Sequence, residues 1–223
     1  MNRRTLKLIA LITMTIDHIG MILFPAQRIF RIIGRMSFPI FAYFVAEGCR
    51  YSSSRIKYVS LMAICEAVCL VGYWFEKGYL YFSIMMTFII SVGIITAYDA
   101  VRKIFTKNTI AGIVGILSYA VFLYAVNRIC ISLDIMYGFW GCMLPLFAYV
   151  FEDRIPSIIA FSLGIYLVSI GSSSIQIYAL SAIIPIALYD HKKMKSTNFE
   201  KYFYYIYYPV HIALLYLVGM IVH

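Results

Sequence analysis

The stretch LKLIALITMTIDHIGMILF, Leu6–Phe24, decides the fold. It is apolar over a length that suits the roughly 17–25 residues needed to cross hydrocarbon. Its ionisable residues are Lys7 at one margin and the pair Asp17-His18 well inside. The run follows Met1-Asn2-Arg3-Arg4, a beginning that looks like a secretion signal. Asp17-His18 within the run, and no small-x-small cleavage pattern after it, favour a retained first helix instead.

Runs of the same kind fill the rest of the chain: 32–49, 59–75, 79–97, 110–126, 129–151, 157–171, 175–190 and 202–222. The 223 residues are 63% hydrophobic and 13% charged, with mean hydropathy +0.86. A soluble domain carries roughly 25% charged residues, so the solvent for this surface is lipid. The expected architecture is an all-α, polytopic membrane bundle of about nine spans (roughly 8–10) at the usual span length. The runs leave no room for a second domain, so 1–223 is one integral membrane domain. The runs 157–171 and 175–190 are short, and Ser172-Ser173-Ser174 separates them. They fit tilted, shallow or re-entrant helices.

The net charge of +9 lies in short basic clusters between apolar runs. That distribution fits membrane anchoring and topology rather than nucleic-acid binding. With the N-terminus in the cytoplasm, the inner segments hold Arg3, Arg4, Lys7, Arg50, Arg55, Lys57, Arg102, Lys103, Lys107, Arg154, Lys192, Lys193, Lys195 and Lys201. The outer segments hold only Arg28, Arg31, Lys77 and Arg128. The positive-inside rule therefore places the N-terminus inside and calls for an odd number of spans. Tyrosines and tryptophans such as Tyr73-Trp74 and Tyr202–Tyr208 cluster at the expected boundaries, where amphipathic rings anchor. The five cysteines, Cys49, Cys65, Cys69, Cys130 and Cys142, contain no C-x-x-C and read as packing residues.

Ionisable residues within spans carry the functional signal, because burying them is costly unless they are paired or hydrated. They are Asp17, His18, Arg35, Glu47, Glu66, Asp134 and His211. At 1.5 Å per residue, His18 lies roughly 18 Å from the inner end of its helix and His211 roughly 14 Å from the inner end of the last one. The short hairpin Pro25–Arg31 makes the first two helices antiparallel, so Asp17, His18 and Arg35 can meet at one level. A neutral imidazole there can act as a general base. Arg35 can pair with Asp17, bind an anion or stabilise an oxyanion. The residues alone leave two readings open, a proton-coupled transporter or flippase and an intramembrane enzyme. Each group also has a bland alternative as an interhelical hydrogen bond or a structural ion pair.

The chain resembles the TraX family of conjugative-transfer proteins. The resemblance rests on Lys7-Leu8-Ile9-Ala10, on Thr15-Ile16-Asp17-His18-Ile19-Gly20, on Ile33-Gly34-Arg35-Met36-Ser37-Phe38-Pro39-Ile40-Phe41-Ala42-Tyr43 and on Ala46-Glu47-Gly48. The tail Lys201-Tyr202-Phe203-Tyr204-Tyr205-Ile206-Tyr207-Tyr208-Pro209-Val210-His211 looks like the same family. Matches are sparser at Met85-Met86-Thr87 and Tyr137-Gly138-Phe139-Trp140-Gly141. Two positions depart from the family's pattern. Ser83 stands where an Asn is usual, and Asp134 precedes Tyr137 by three positions instead of one, so no role is carried to Asp134.

The resemblance implies an integral membrane acetyltransferase of a bacterial cell membrane, similar at a distance to the wider membrane acyltransferases. An acetyl group would move from cytoplasmic acetyl-CoA to an amine, such as a peptide or pilin N-terminus, or to a hydroxyl. His18 would be the general base, with Asp17 and Arg35 beside it as catalytic partners. Tyr43 and Tyr207, inside the matching stretches, join His211 and Glu47 as expected substrate-binding residues. Arg50, Arg55, Lys57, Lys192 and Lys193 line the inner side, where the polyanionic nucleotide would enter. No metal is implied. A non-catalytic membrane partner of a pilin-like peptide is the further alternative.

Overall fold

The computed structural model describes residues 1–170, 172–190 and 198–222. Every regular element among them is helical: α1 (Arg3–Ile22), α2 (Arg28–Gly34), α3 (Ser37–Tyr51), α4 (Arg55–Lys77), α5 (Ile84–Lys107), α6 (Thr109–Ser132), α7 (Gly138–Val150), α8 (Arg154–Ile170), a 3-10 segment (Ser174–Ala182) continued by α9 (Ile183–Ala187), and α10 (Asn198–Val222). Six helical stretches are long and apolar enough to cross a membrane, with α2 and α3 counted as one, and three shorter apolar stretches lie at 138–150, 154–170 and 174–187.

The breaks have local causes. The expected helix 32–49 starts earlier and divides at Arg35-Met36. Pro39 lacks an N–H, and its ring crowds the carbonyl four residues back, which belongs to Arg35. The expected span 129–151 divides between α6 and α7, where Asp134, Tyr137 and Gly138 take φ of 48°, 63° and 58°, a conformation that ends regular structure. Much of the expected span 175–190 is a 3-10 helix. At about 2.0 Å per residue such a helix rises further than an α-helix of equal length. Pro209 inside α10 leaves the Tyr205 carbonyl without its helical donor, and the Cys65 thiol of α4 donates to it at 3.5 Å.

The bundle turns apolar side chains outward as well as inward. On α6, Ile113, Val114, Leu117 and Val121 are all more than half exposed, as suits a helix facing lipid. The most enclosed element is α3, which buries Phe38, Ile40, Tyr43, Phe44 and Val45 against α1, α5 and α7. Meanwhile α1 packs on α2, α3 and α10. Glycines permit the closest crossing. A Cβ on Gly34 would lie 2.2 Å from the Asp17 Cβ, and one on Gly20 would lie 2.3 Å from the Phe30 Cβ. The motif glycines thus let the α2 backbone reach the α1 residues that carry charge.

Candidate active site

Asp17 is the hub of a half-buried ion cluster. Arg35 Nη2 donates to its two carboxylate oxygens at 2.9 and 3.1 Å, and Arg31 Nη1 donates to Oδ2 at 2.7 Å. Arg31 and Arg35 are one turn apart, on one face across the α2 break. Arg35 also donates from Nε to the Arg31 carbonyl at 3.2 Å and from Nη1 to Gln176 Oε1 at 3.1 Å. An isolated charge would be costly here, and the forked pairing with several hydrogen bonds offsets that cost. Among the described residues Asp17 is the one carboxylate paired with either guanidinium, so the cluster carries a surplus positive charge.

Next along α1, His18 points to α10. Its Nδ1 lies 2.7 Å from His211 Nε2, and His211 Nδ1 lies 2.8 Å from the Tyr207 carbonyl oxygen. The chain of bonds sets the tautomers. A carbonyl can only accept, so His211 Nδ1 carries a proton, and neutral His211 then has a lone pair on Nε2. His18 Nδ1 must donate to that lone pair, which leaves His18 Nε2 unprotonated. Among the described residues nothing donates to His18 Nε2. Tyr207 supports the pair: its ring stacks on His211 at 4.9 Å and 12°. Its hydroxyl lies 2.7 Å from Thr15 Oγ1, whose own proton goes to the Leu11 carbonyl, so Tyr207 is the donor.

The family model for the TraX protein matches residues 2–219, nearly the whole chain. The chain belongs to the TraX family. A curated relative, uncharacterized protein RP591 of Rickettsia prowazekii (strain Madrid E), is 56% identical over 39 residues, covering 18% of this chain and 16% of the relative. No solved structure matches.

In this family member the expected site residues fall into two groups. Asp17, His18, Arg35, His211 and Tyr207 come together as described. Glu47 and Tyr43 sit towards the other end of α3, in a different environment. Glu47 accepts from the Tyr189 hydroxyl at 3.2 Å and lies 4.0 Å from Arg3 Nε, while Tyr43 is buried edge-on against Phe161. The separation is large: Tyr43 and Glu47 are eight and twelve residues beyond Arg35, or about 12 and 18 Å along a helix.

Two of the expected nucleotide-binding cations are engaged in protein contacts. Arg50 donates to the carbonyls of Ala148, Tyr149 and Phe151, capping the carbonyl end of α7. Arg55 donates to the Cys49 carbonyl at 3.0 Å, to Asp99 at 2.6 Å and to the Tyr149 hydroxyl at 2.9 Å. Lys57 is exposed. Lys192 and Lys193 lie outside the described residues. Glu66 is a buried capping carboxylate for α5, accepting from the Ser83 N–H at 3.0 Å and from the Ser83 hydroxyl. Asp134 is exposed.

The sequence reading missed Arg31 and Gln176. Arg31 had a usable signal, because its spacing of four from Arg35 puts both on one helix face. The expected hairpin Pro25–Arg31 puts it in an outer loop, whereas α2 already begins at Arg28. Gln176 stands in a short Ser-rich segment and gave no periodic signal.

Proposed function

We propose that this protein is a membrane acetyltransferase in which His18 is the general base. One observation carries the reading: the bond sequence from Tyr207 through His211 to His18 leaves an unprotonated imidazole nitrogen inside a helix bundle, next to a cluster with surplus positive charge. Family membership supports the same chemistry. The acyl donor is cytoplasmic acetyl-CoA, and the acceptor is an amine, such as a peptide or pilin N-terminus, or a hydroxyl. The N-terminus faces the cytoplasm of a bacterial cell.

His18 Nε2 takes a proton from the acceptor as its nitrogen or oxygen attacks the acetyl carbonyl. The His18 Nδ1–H stays bonded to His211, so the ring keeps its orientation while charged. Negative charge grows on the carbonyl oxygen, and Arg35, fixed by Asp17, is the nearby cation to stabilise it. Collapse breaks the carbon–sulfur bond, and the proton on His18 Nε2 passes to the leaving thiolate. The products are the acetylated acceptor and free CoA. Arg50 and Arg55 could bind the nucleotide only by giving up their present bonds, so among the expected nucleotide-binding residues that the structure describes Lys57 is the available cation.

The test is acetyl-CoA binding and slow thioester turnover by the protein in nanodiscs, beside His18→Ala. Saturable binding with turnover that vanishes in the variant is the expected result. Well-folded protein that binds neither acetyl-CoA nor CoA would overturn the reading and favour a transporter or a non-catalytic pilin partner.

A further inference from the structure

Gln176 is 1% exposed, and its amide orientation is fixed. Arg35 Nη1 can only donate, so the atom it meets at 3.1 Å must be the carbonyl Oε1. The Nε2 amide nitrogen, the other arm of the same planar group, has no partner among the described residues. An unpartnered buried amide donor is costly, by about 1–3 kcal/mol. Native structures retain such groups mainly where they serve a purpose.

Three further observations place this donor in a built site. Its side chain meets Arg35, which shares a single carboxylate with Arg31, so the surroundings favour a ligand oxygen bearing negative charge. The segment that carries it is a nine-residue 3-10 helix, whereas such helices rarely exceed three or four residues and longer ones often mark functional positions. Its backbone is also held in place: the Gln176 carbonyl accepts from the Ser169 hydroxyl at 3.2 Å, and its N–H donates to the Ser173 carbonyl at 2.8 Å.

Resting on the acyl-transfer reading above, we infer that Gln176 Nε2 is a catalytic hydrogen-bond donor to the acyl carbonyl oxygen, acting with Arg35 to hold the oxyanion. The Gln176 side chain would thus have two jobs on two atoms: Oε1 orients Arg35, and Nε2 meets the substrate. The donor acts most strongly when the oxygen becomes charged, so its loss lowers turnover more than binding.

Gln176→Glu separates the two jobs. It keeps an acceptor for Arg35 and removes both N–H donors, at nearly constant volume. The measurement is kcat and KM for acetyl-CoA turnover in nanodiscs, for wild type, Gln176→Glu and Gln176→Asn. The expected result is a kcat about 10²-fold lower in Gln176→Glu, an unchanged KM, and partial recovery in Gln176→Asn. Wild-type kcat in Gln176→Glu would overturn the inference and leave Gln176 as a support for Arg35. Should Gln176→Glu fail to fold, the shorter pair Gln176→Asn and Gln176→Asp carries the same contrast, and equal rates in that pair would overturn it. A wild type without turnover would remove the acyl-transfer reading, and this inference with it.

Discussion

The region around His18 and the region around Arg55 are both rich in charge, but they use it differently. Near Arg55, arginines close helix ends. Arg50 meets the last carbonyls of α7, Arg55 meets Cys49 in the last turn of α3, and Arg154 meets the Ala187 and Tyr189 carbonyls at the end of α9. Each places a cation at the negative end of a helix dipole. Near His18, by contrast, two polar networks end in atoms without partners among the described residues, His18 Nε2 and Gln176 Nε2. Polar groups that are fully bonded hold a membrane bundle together, whereas a half-buried or buried group with a spare lone pair or donor is equipped for chemistry.

The comparison breaks most visibly at His18. His18→Ala is expected to lower acetyl transfer by about 10²–10⁴-fold while the protein stays monodisperse on size exclusion; full activity would erase the distinction between the regions. His211→Leu comes next. It removes the lone pair that fixes the His18 tautomer but not the base itself, so a loss of about 10²-fold through misorientation is expected. A loss equal to that of His18→Ala would make the two histidines equal partners in catalysis.

Gly34→Ala tests the crossing that brings Arg31 and Arg35 to Asp17. The added methyl would fall inside the Asp17 side chain, so destabilisation of about 1–3 kcal/mol is expected from overpacking, read as a lower midpoint in thermal unfolding. An unchanged midpoint would mean that α2 can shift freely, and the close approach would lose its importance. The smallest effect belongs to Asp99→Asn. The Arg55–Asp99 pair is 25% and 31% exposed in its side chains, so about 0.5–1 kcal/mol is at stake. Turnover close to wild type is expected; a collapse of turnover would move that region into the site.

Sequence patterning identified the apolar helices because lipid imposes a length and a composition on each of them. The motif I-D-H-I-G, Ile16–Gly20, and the Gly34–Arg35 pair likewise disclosed that α1 and α2 meet with charge between them. Helix interruptions were less legible. Pro39 was visible, yet hydropathy alone does not say that α2 and α3 part at Arg35, and an apolar window from 129 to 151 conceals the turn around Tyr137. Partner choice was least legible of all. Nothing in the spacing says that Arg50 reaches α7, since that bond depends on how distant segments pack. Nor does the Ser-rich stretch announce that Gln176 turns inward.

The carbonyl freed by Pro209 has one further consequence. Tyr205 belongs to the same helix as His211, and the atom that takes up its unused acceptor is a sulfur on α4. The last helix is therefore stitched sideways about 9 Å along its axis from His211. A lipid-soluble alkylating reagent that reached Cys65 would strain that stitch and shift His211 away from His18. Inactivation of this protein by maleimides would then report a mechanical fault transmitted along α10, and would not license the assignment of a nucleophilic cysteine.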